Sequence, residues 1–332
     1  MRAYHVVEFG PPSALQLNEV DDLVPGEGQI VVDVAAAGIN YPDALVVSGR
    51  YQILPPRPFV PGKELAGFVR AVGPGVTGFA PGDRVLGQLE YGAFAEQAVA
   101  NAADAFHLPD GLGFADATAL GLVYQTAYFA LLDRANLRPG ETVLVGGVAG
   151  GLGIASMQLA KAFGARVLAV VRKPEQVEFV RANGADVVID VGGANLRDDL
   201  RAQVLAATDG RGVDVIIDPV GSEFFGAGLR ALAWCGRLVV IGFASGDIPS
   251  VKANYLLVKN ISLSGLQWSD YRERLPARMA EAQADIFRLW RSGAVRPPVT
   301  QTFALEELPA ALELIEKGRI RGKAALIIRD AS

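Results

Sequence analysis

The sequence predicts an α/β protein in which a doubly wound parallel-sheet domain is inserted into a β-rich, barrel-like domain, and three observations lead there. Up to about residue 121, short apolar runs are separated by Gly/Pro turns. From 122 to about 262, Val/Ile/Leu-rich strands alternate with helical patterns around a glycine-rich turn. After that the alternation stops and short strand-like pieces return. The expected division is therefore residues 1–121 with 263–332 as one domain and 122–262 as the other.

Bulk properties agree with this plan. A chain of 332 residues can bury two separate cores. With 51% hydrophobic and 20% charged residues it sits far from the disordered regime. A formal charge of −5 leaves no basic excess, which argues against a nucleic-acid partner. Glu8 falls where the apolar region of a secretory signal would begin, so none is expected. Thr142 to Ala160 carries no charge over 19 residues, close to the length of a membrane span. Its five glycines and β-type start favour strand–turn–helix instead, so no membrane partner is expected. Cys235 is the sole cysteine, which excludes an internal disulfide and fits the reducing cytoplasm. Standing before Gly236 in an apolar run, it reads as a small buried hydrophobe.

Within the first part, Gln29–Val34 and Ala66–Val72 are strand-like and are bounded by Pro25-Gly26, Gly73-Pro-Gly75 and Pro81-Gly-Asp83. This spacing suggests a partly closed antiparallel barrel. In the middle part, Thr142–Val145, Arg166–Val171, Val187–Asp190, Val213–Asp218 and Arg237–Ile241 form the strand series. Gly151–Phe163 has apolar residues at helical spacing, and Pro174–Asn183 reads as a helix with Pro in its first turn and Gly184 closing it. Near-continuous apolar strands alternating with helices imply a parallel sheet covered on both faces. In the tail, one long amphipathic helix is expected over about Arg272–Ser292, and Ala324–Ile328 reads as a strand returning to the first domain.

The segment Gly146-Gly-Val-Ala-Gly-Gly-Leu-Gly153 lies between a strand and a helix, with a second strand about 20 residues on. Such a turn lets backbone approach a pyrophosphate, and the N–H groups opening the helix point at it. The fingerprint roles fall on Gly150, Gly151 and Gly153, flanked by Ala149 and Leu152, with Val148 where the usual first glycine stands. At the end of the second strand, NAD sites place an acid for the ribose 2′-hydroxyl. Here Val170-Val-Arg-Lys173 has none before Glu175, and Arg172 with Lys173 can pair a 2′-phosphate, so NADPH is the expected cofactor. Asp218 and Ser222 close the fourth strand at the edge where ligands collect.

No metal is expected. A catalytic zinc needs three protein ligands and a structural one commonly four cysteines, whereas the chain has one cysteine and the two histidines His5 and His107. Without a Lewis acid, an acceptor that is already electrophilic suits the chain best.

Read together, the two parts resemble the medium-chain dehydrogenase/reductase superfamily, in its zinc-free quinone oxidoreductase (ζ-crystallin-like) branch. The resemblance is carried by Gly38-Ile-Asn-Tyr-Pro-Asp43, Ser48-Gly-Arg-Tyr51, Pro61-Gly-Lys-Glu-Leu-Ala-Gly67, Gly78–Val85 and Gly92-Ala-Phe-Ala-Glu96. In the second domain it rests on Gly140–Val145, the glycine turn, Asp218-Pro-Val-Gly221 and Gly322-Lys323. It implies a GroES-like β-barrel catalytic domain with an inserted Rossmann domain. It also implies that Asn40 and Tyr51 line the pocket over the nicotinamide, with Thr126, Gly242, Phe243 and Leu266 near the ring. In the zinc-dependent relatives a Cys stands at the place of Asn40 and a His at that of Lys63. Leu45 and Gln176 depart from a tyrosine and a phosphate-binding lysine carried by some members.

The activity this implies is hydride transfer from NADPH to a quinone or other conjugated carbonyl. Two alternatives stay open: an enone or enoyl-thioester reductase of the 2-alkenal or acrylyl-CoA type, and an NADPH-binding crystallin-like protein without turnover. By the same resemblance a homodimer is expected, with Ile261–Gly265 pairing across the partner's sheet edge.

Overall fold

The computed structural model describes residues 1–193 and 195–329. Gln29–Ile39 is its longest strand, an Ile/Val/Ala run buried along almost its whole length. Around it the N-terminal part places β1 (Arg2–His5), β2 (Gln16–Glu19), this strand as β3, α1 (Tyr41–Val47), β4 (Glu64–Val72), β5 (Arg84–Gln88), β6 (Gln97–Asn101), β7 (Ala105–His107) and α2 (Phe114–Ala119). The middle part runs α3 (Leu122–Phe129), β8 (Thr142–Val145), α4 (Gly151–Ala162), β9 (Arg166–Val171), α5 (Val177–Ala182), β10 (Val187–Asp190), α6 (Leu196–Ala207), β11 (Val213–Asp218), α7 (Ser222–Ala231), β12 (Leu232–Val240), α8 (Asn254–Lys259) and β13 (Ser262–Gly265). The tail adds α9 (Trp268–Arg274), α10 (Pro276–Arg291), β14 (Val299–Ala304), α11 (Leu308–Glu316) and β15 (Lys323–Ile327).

Two compact units result. The first comprises residues 1–122, 269–287 and 297–332, and the second 123–268 and 288–296.

The first unit is built on a seven-stranded sheet in the order β14-β15-β3-β4-β5-β7, with β6 also paired to β3. Its pairings are antiparallel apart from β14 with β15. The β3–β4 register slips between Val31 and Val32 and again between Val34 and Ala36. Such irregularities increase twist and let one long strand serve neighbours on several sides. Ile30, Val32, Ile39, Leu65 and Phe94 are buried in the core beneath it.

The second unit is a six-stranded, all-parallel sheet in the order β10-β9-β8-β11-β12-β13. Leu144, Leu168, Ile216 and Leu238 on its strands pack with Leu196, Leu200 and Val204, which lie four apart along α6. From β8 the chain winds outward through β9 and β10, then crosses back to β11 and winds the other way. The crevice at a doubly wound sheet's switch point therefore opens at the carboxyl ends of β8 and β11.

Four expectations change. The boundary after residue 262 would sever β13, which pairs with β12 from Arg237↔Ser262 to Val240↔Gly265, so 263–268 stay with the parallel sheet. Residues 288–296 join that unit too: Gln158 Oε1 accepts the N–H of Arg296 at 2.7 Å, and its Nε2 donates to the Arg296 carbonyl at 2.9 Å. The single helix over 272–292 is two, because Pro276 opens α10 and disfavours helical backbone at Leu275, while the amphipathic period runs on across the break. The helix over 174–183 starts as a 3₁₀ turn at Pro174–Gln176 before α5 begins.

Cys235 is the fourth correction: it is exposed, with φ +60°. The β11–β12 register jumps from Val213↔Leu232 to Val215↔Arg237, so Ala233–Gly236 are extruded from the ladder and carry Trp234 and Cys235 outward. The Thr142–Ala160 stretch is strand, turn and helix as expected, and among the described residues no helix is long and apolar enough to cross a membrane.

Candidate functional site

In the second unit the glycine turn connects β8 to α4. Gly147 carries the left-handed backbone that the tight turn needs, φ +60°. Gly153 lies where α4 seats on that turn: a Cβ there would collide with the Gly147 carbonyl and come within 2.6 Å of Val148 Cα. A Cβ at Gly146 would strike the Phe224 ring at 2.6 Å, so α7 packs against the turn from the other side. Gly150, which caps α4, is different. A side chain there would meet no protein atom closer than 3.6 Å. A Cβ at Gly150 would collide with nothing, so the turn is open on that side. Helix geometry leaves the N–H groups of Gly151, Leu152 and Gly153 without intrahelical acceptors, and with half-buried Ala149 they rim this open face.

At the carboxyl end of β11, Asp218 is fully buried. Its Oδ1 accepts the N–H groups of Val220 and Gly221, both at 2.8 Å, whereas Oδ2 has no partner among the described residues. Burial raises the pKa of this carboxyl, and the two N–H donors pull the other way. Ser222 follows with a left-handed backbone, φ +49°, at the start of α7. Gly242 and Phe243 follow β12, and Phe243 fits against Gly221, where a Cβ would meet its ring at 3.0 Å. Leu266, beyond β13, donates its N–H to the Val240 carbonyl at 3.0 Å. Arg172 and Lys173 follow β9 directly, exposed, and both N–H groups donate to Gln176 Oε1, at 3.2 and 3.3 Å. Gln176, which departs from the lysine of some relatives, thus fixes the loop that presents the two cations. Beside Arg172 lies a cleft of about 470 Å³ that also reaches Asp190 and Asp199. The sheet therefore brings all these positions to one edge, while Thr126 is buried in α3. An open glycine cradle, an orphaned buried carboxylate oxygen and a basic loop along that edge fit a dinucleotide.

In the first unit, Asn40 caps α1 in a reciprocal box, its N–H donating to Asp43 Oδ2 at 2.8 Å. Its amide is already engaged. Nδ2 donates to Glu64 Oε1 at 2.8 Å and to the Gly38 carbonyl at 3.4 Å, and Oδ1 accepts from Lys323 Nζ at 2.6 Å. Lys323 also pairs with Glu64 at 2.6 Å, and Glu64 Oε2 accepts the Leu122 N–H at 2.8 Å. Glu64 is wholly buried because small residues make room for it: a Cβ at Gly38 or Gly121 would lie 2.5 or 2.6 Å from its carboxylate oxygens.

Tyr51 is half-buried, and burial, reinforced by Glu90 and Asp43, pushes its phenol up to about 12. The ammonium of Lys63 lies 5.2 Å from its ring centroid and donates to Glu90, at 2.6 Å to Oε1 and 3.1 Å to the carbonyl. Burial also pushes Asp43 up to about 7, against the pull of Lys63 and the Asn40 N–H. The sequence reasoning placed Asn40 and Tyr51 in this unit but missed Asp43, Glu64, Glu90 and Lys323 as their partners. The signal was the charged pair Lys63-Glu64 heading a strand whose other residues are mostly apolar.

A nucleotide-binding parallel sheet joined to a second unit of this kind defines a two-domain oxidoreductase. A family model for the alcohol dehydrogenase GroES-like domain matches residues 26–110, and one for zinc-binding dehydrogenase matches 151–284. The quinone oxidoreductase-like protein 2 homolog of Nematostella vectensis is 39% identical, covering 91% of this chain and 82% of its own length. Mus musculus quinone oxidoreductase is 35% identical over 99% of this chain and 98% of its own. A mycobacterial protein solved as a complex with NADPH superimposes with a TM-score of 0.92 at 31% identity, covering 99% of this chain and 100% of that one. The chain belongs to the medium-chain dehydrogenase/reductase superfamily, in its zinc-free quinone oxidoreductase branch. The second model's name brings no metal site with it, since residues 151–284 hold one cysteine and no histidine.

Two outcomes follow for the buried charges. Lys323→Met strands Glu64 and lowers unfolding free energy by about 3–5 kcal/mol, and adding Glu64→Gln restores much of that loss. Denaturant titration of the two variants checks this; strictly additive losses would refute the coupling. For Asp43 the folded pKa lies above the unfolded value of about 3.9, so the native state keeps a proton that the unfolded chain releases. Its stabilising contribution is full below about pH 4 and is lost as the pH rises through about 7. Asp43→Asn should flatten stability between those values in urea titrations, and an unchanged slope would count against the assignment.

Proposed function

We propose that this chain is an NADPH-dependent reductase of conjugated carbonyls whose acceptor is a quinone. The observation that carries the reading is the edge of the parallel sheet: an open glycine cradle next to a loop with two cations and no carboxylate at the end of β9. When bound, NADPH supplies the hydride. Gly150–Gly153 receive the pyrophosphate, Arg172 and Lys173 the 2′-phosphate, and Asp218 Oδ2 a hydroxyl of the dinucleotide. Thr126, Ser222, Gly242, Phe243 and Leu266 are assigned to the nicotinamide end. The names of the curated relatives and the NADPH held by the mycobacterial structure support this assignment.

Of the two acceptor-side candidates we assign the hydrogen bond to the acceptor to Tyr51, since the amide of Asn40 is already engaged. With its pKa near 12 the phenol stays protonated through the neutral range, so it donates a hydrogen bond but gives up a proton reluctantly. Asn40 serves to position the turn, since Glu64 and Lys323 already hold its amide. A weak acid suits a quinone, whose reduced oxygens take protons from water. It suits an enone or enoyl thioester less well, because that product needs a proton on carbon. The cytoplasm remains the proposed compartment, on the single cysteine.

Oxidation of NADPH followed by absorbance, with quinones and enones as acceptors, tests the reading. Quinones should turn over and Tyr51→Phe should slow them less than about threefold, whereas an enone as the better acceptor together with a loss of at least about a hundredfold in Tyr51→Phe would favour the enone alternative. No turnover with quinones would overturn it. NADPH protection against thermal unfolding without any turnover would favour the binding-only alternative.

We further propose a homodimer through β13. It is the outer strand of the parallel sheet, its far edge unpaired among the described residues, and Trp234, Leu257 and Val258 on neighbouring elements are exposed. Light scattering should give twice the chain mass, and Leu263→Pro, which removes a ladder donor, should shift it toward the monomer. A monomeric parent protein contradicts the proposal.

A further inference from the structure

We propose that Glu223 competes with the cofactor's 2′-phosphate for Arg172, so that one carboxylate sets how strongly the chain prefers NADPH over NADH. The inference rests on the reading above that Arg172 and Lys173 receive that phosphate.

Arg172 is the first residue beyond β9, and Glu223 lies in the first turn of α7, which follows β11. Between those strands stands β8, with the glycine turn rising from its carboxyl end. Neighbouring strands lie about 4.8 Å apart, so the two chain segments start about 10 Å from each other. Their side chains nevertheless meet, with Arg172 Nη2 3.9 Å from Glu223 Oε2. The pair spans the mouth of the crevice that the dinucleotide enters.

Glu223 is the only ion-pair partner of Arg172 among the described residues, and Lys173 has none. Asp190 and Asp199 line the same cleft as Arg172, but among the described residues neither pairs with it, and Asp190 Oδ1 accepts the Gly192 N–H at 2.9 Å. The remaining cations around Glu223 line a separate pocket, where Arg230 pairs with Asp198 at 3.1 Å. Arg172 and Lys173 are therefore not equivalent. Lys173 is free to meet a phosphate, whereas Arg172 must release or share a carboxylate.

A 2′-phosphate carries about −1.5 to −2 charges near neutral pH. Arriving at Arg172, it either displaces Glu223 or sits against it, and both weaken its capture. A ribose 2′-hydroxyl is neutral and meets neither obstacle. NAD sites keep a carboxylate at the end of the second strand; here Glu223 brings one to the same neighbourhood from the opposite bank. Because both side chains are more than half exposed, the effect is modest and screened by salt.

Calorimetric binding of NADPH, NADH and adenosine 2′,5′-bisphosphate to the full chain tests this. The bisphosphate carries the 2′-phosphate without the nicotinamide, so the readout does not depend on turnover. Glu223→Gln should tighten NADPH and the bisphosphate about twofold to fivefold, change NADH less than about 1.5-fold, and lose its advantage at high ionic strength. In an Arg172→Gln background the same change should gain nothing. A silent Glu223→Gln in a parent that binds NADPH overturns this inference alone, as does equal tightening of NADH and NADPH or a gain that survives without Arg172. A parent that binds neither dinucleotide overturns this inference and the wider reading together.

Discussion

One buried carboxylate organises the first unit. Glu64 reaches the turn before α1 through Asn40 and the last strand through Lys323, and it accepts the Leu122 N–H directly. All of this happens inside a core where an unpaired charge would cost far more than a single hydrogen bond contributes. That requirement accounts for several residues otherwise without explanation. Gly38 and Gly121 are small because the carboxylate occupies the space beside them, and Asn40 is polar because Glu64 and Lys323 need a common neighbour. The acceptor-side candidates stand on a scaffold whose geometry electrostatic satisfaction dictates.

The second unit follows a different logic, in which backbone does the work. Its switch point aligns strand ends, so positions more than a hundred residues apart in sequence reach one edge without contacting each other. Glycines there divide into two kinds. Gly146, Gly147 and Gly153 satisfy the protein's own packing, and Gly150 leaves room that no protein atom fills. The distinction separates glycines that packing requires from one that packing does not require.

How much of this the sequence disclosed depends on how local each signal was. Five of the six parallel strands and the glycine turn were legible because apolar runs and turn residues act over a few positions. Within the turn, the spacing pointed to Gly150, Gly151 and Gly153 but not to the left-handed Gly147, since a motif gives spacing and not φ. The bulge at Ala233–Gly236 was invisible because Trp and Cys in an apolar run look like strand interior. Only the register between β11 and β12 reveals the extrusion. The break at Pro276 was hidden by the continuing amphipathic period. The Glu64 network was out of reach altogether, as it joins residues up to 283 apart through geometry that no local pattern encodes.

The placement of β15 between β14 and β3 also says something about the order of assembly. Ile39 pairs with Ala324, so this sheet waits for a strand made some 285 residues later before it can close. The parallel-sheet unit has almost all its strands and helices available earlier. During synthesis from the N-terminus the inserted unit can therefore acquire its core while the host sheet still has an open flank along β3. Long-range closure of this kind is slow and leaves pairing groups exposed meanwhile. β15 is thus the latch of a sheet whose N-terminal strands stay unfinished until residues 323–327 have been made.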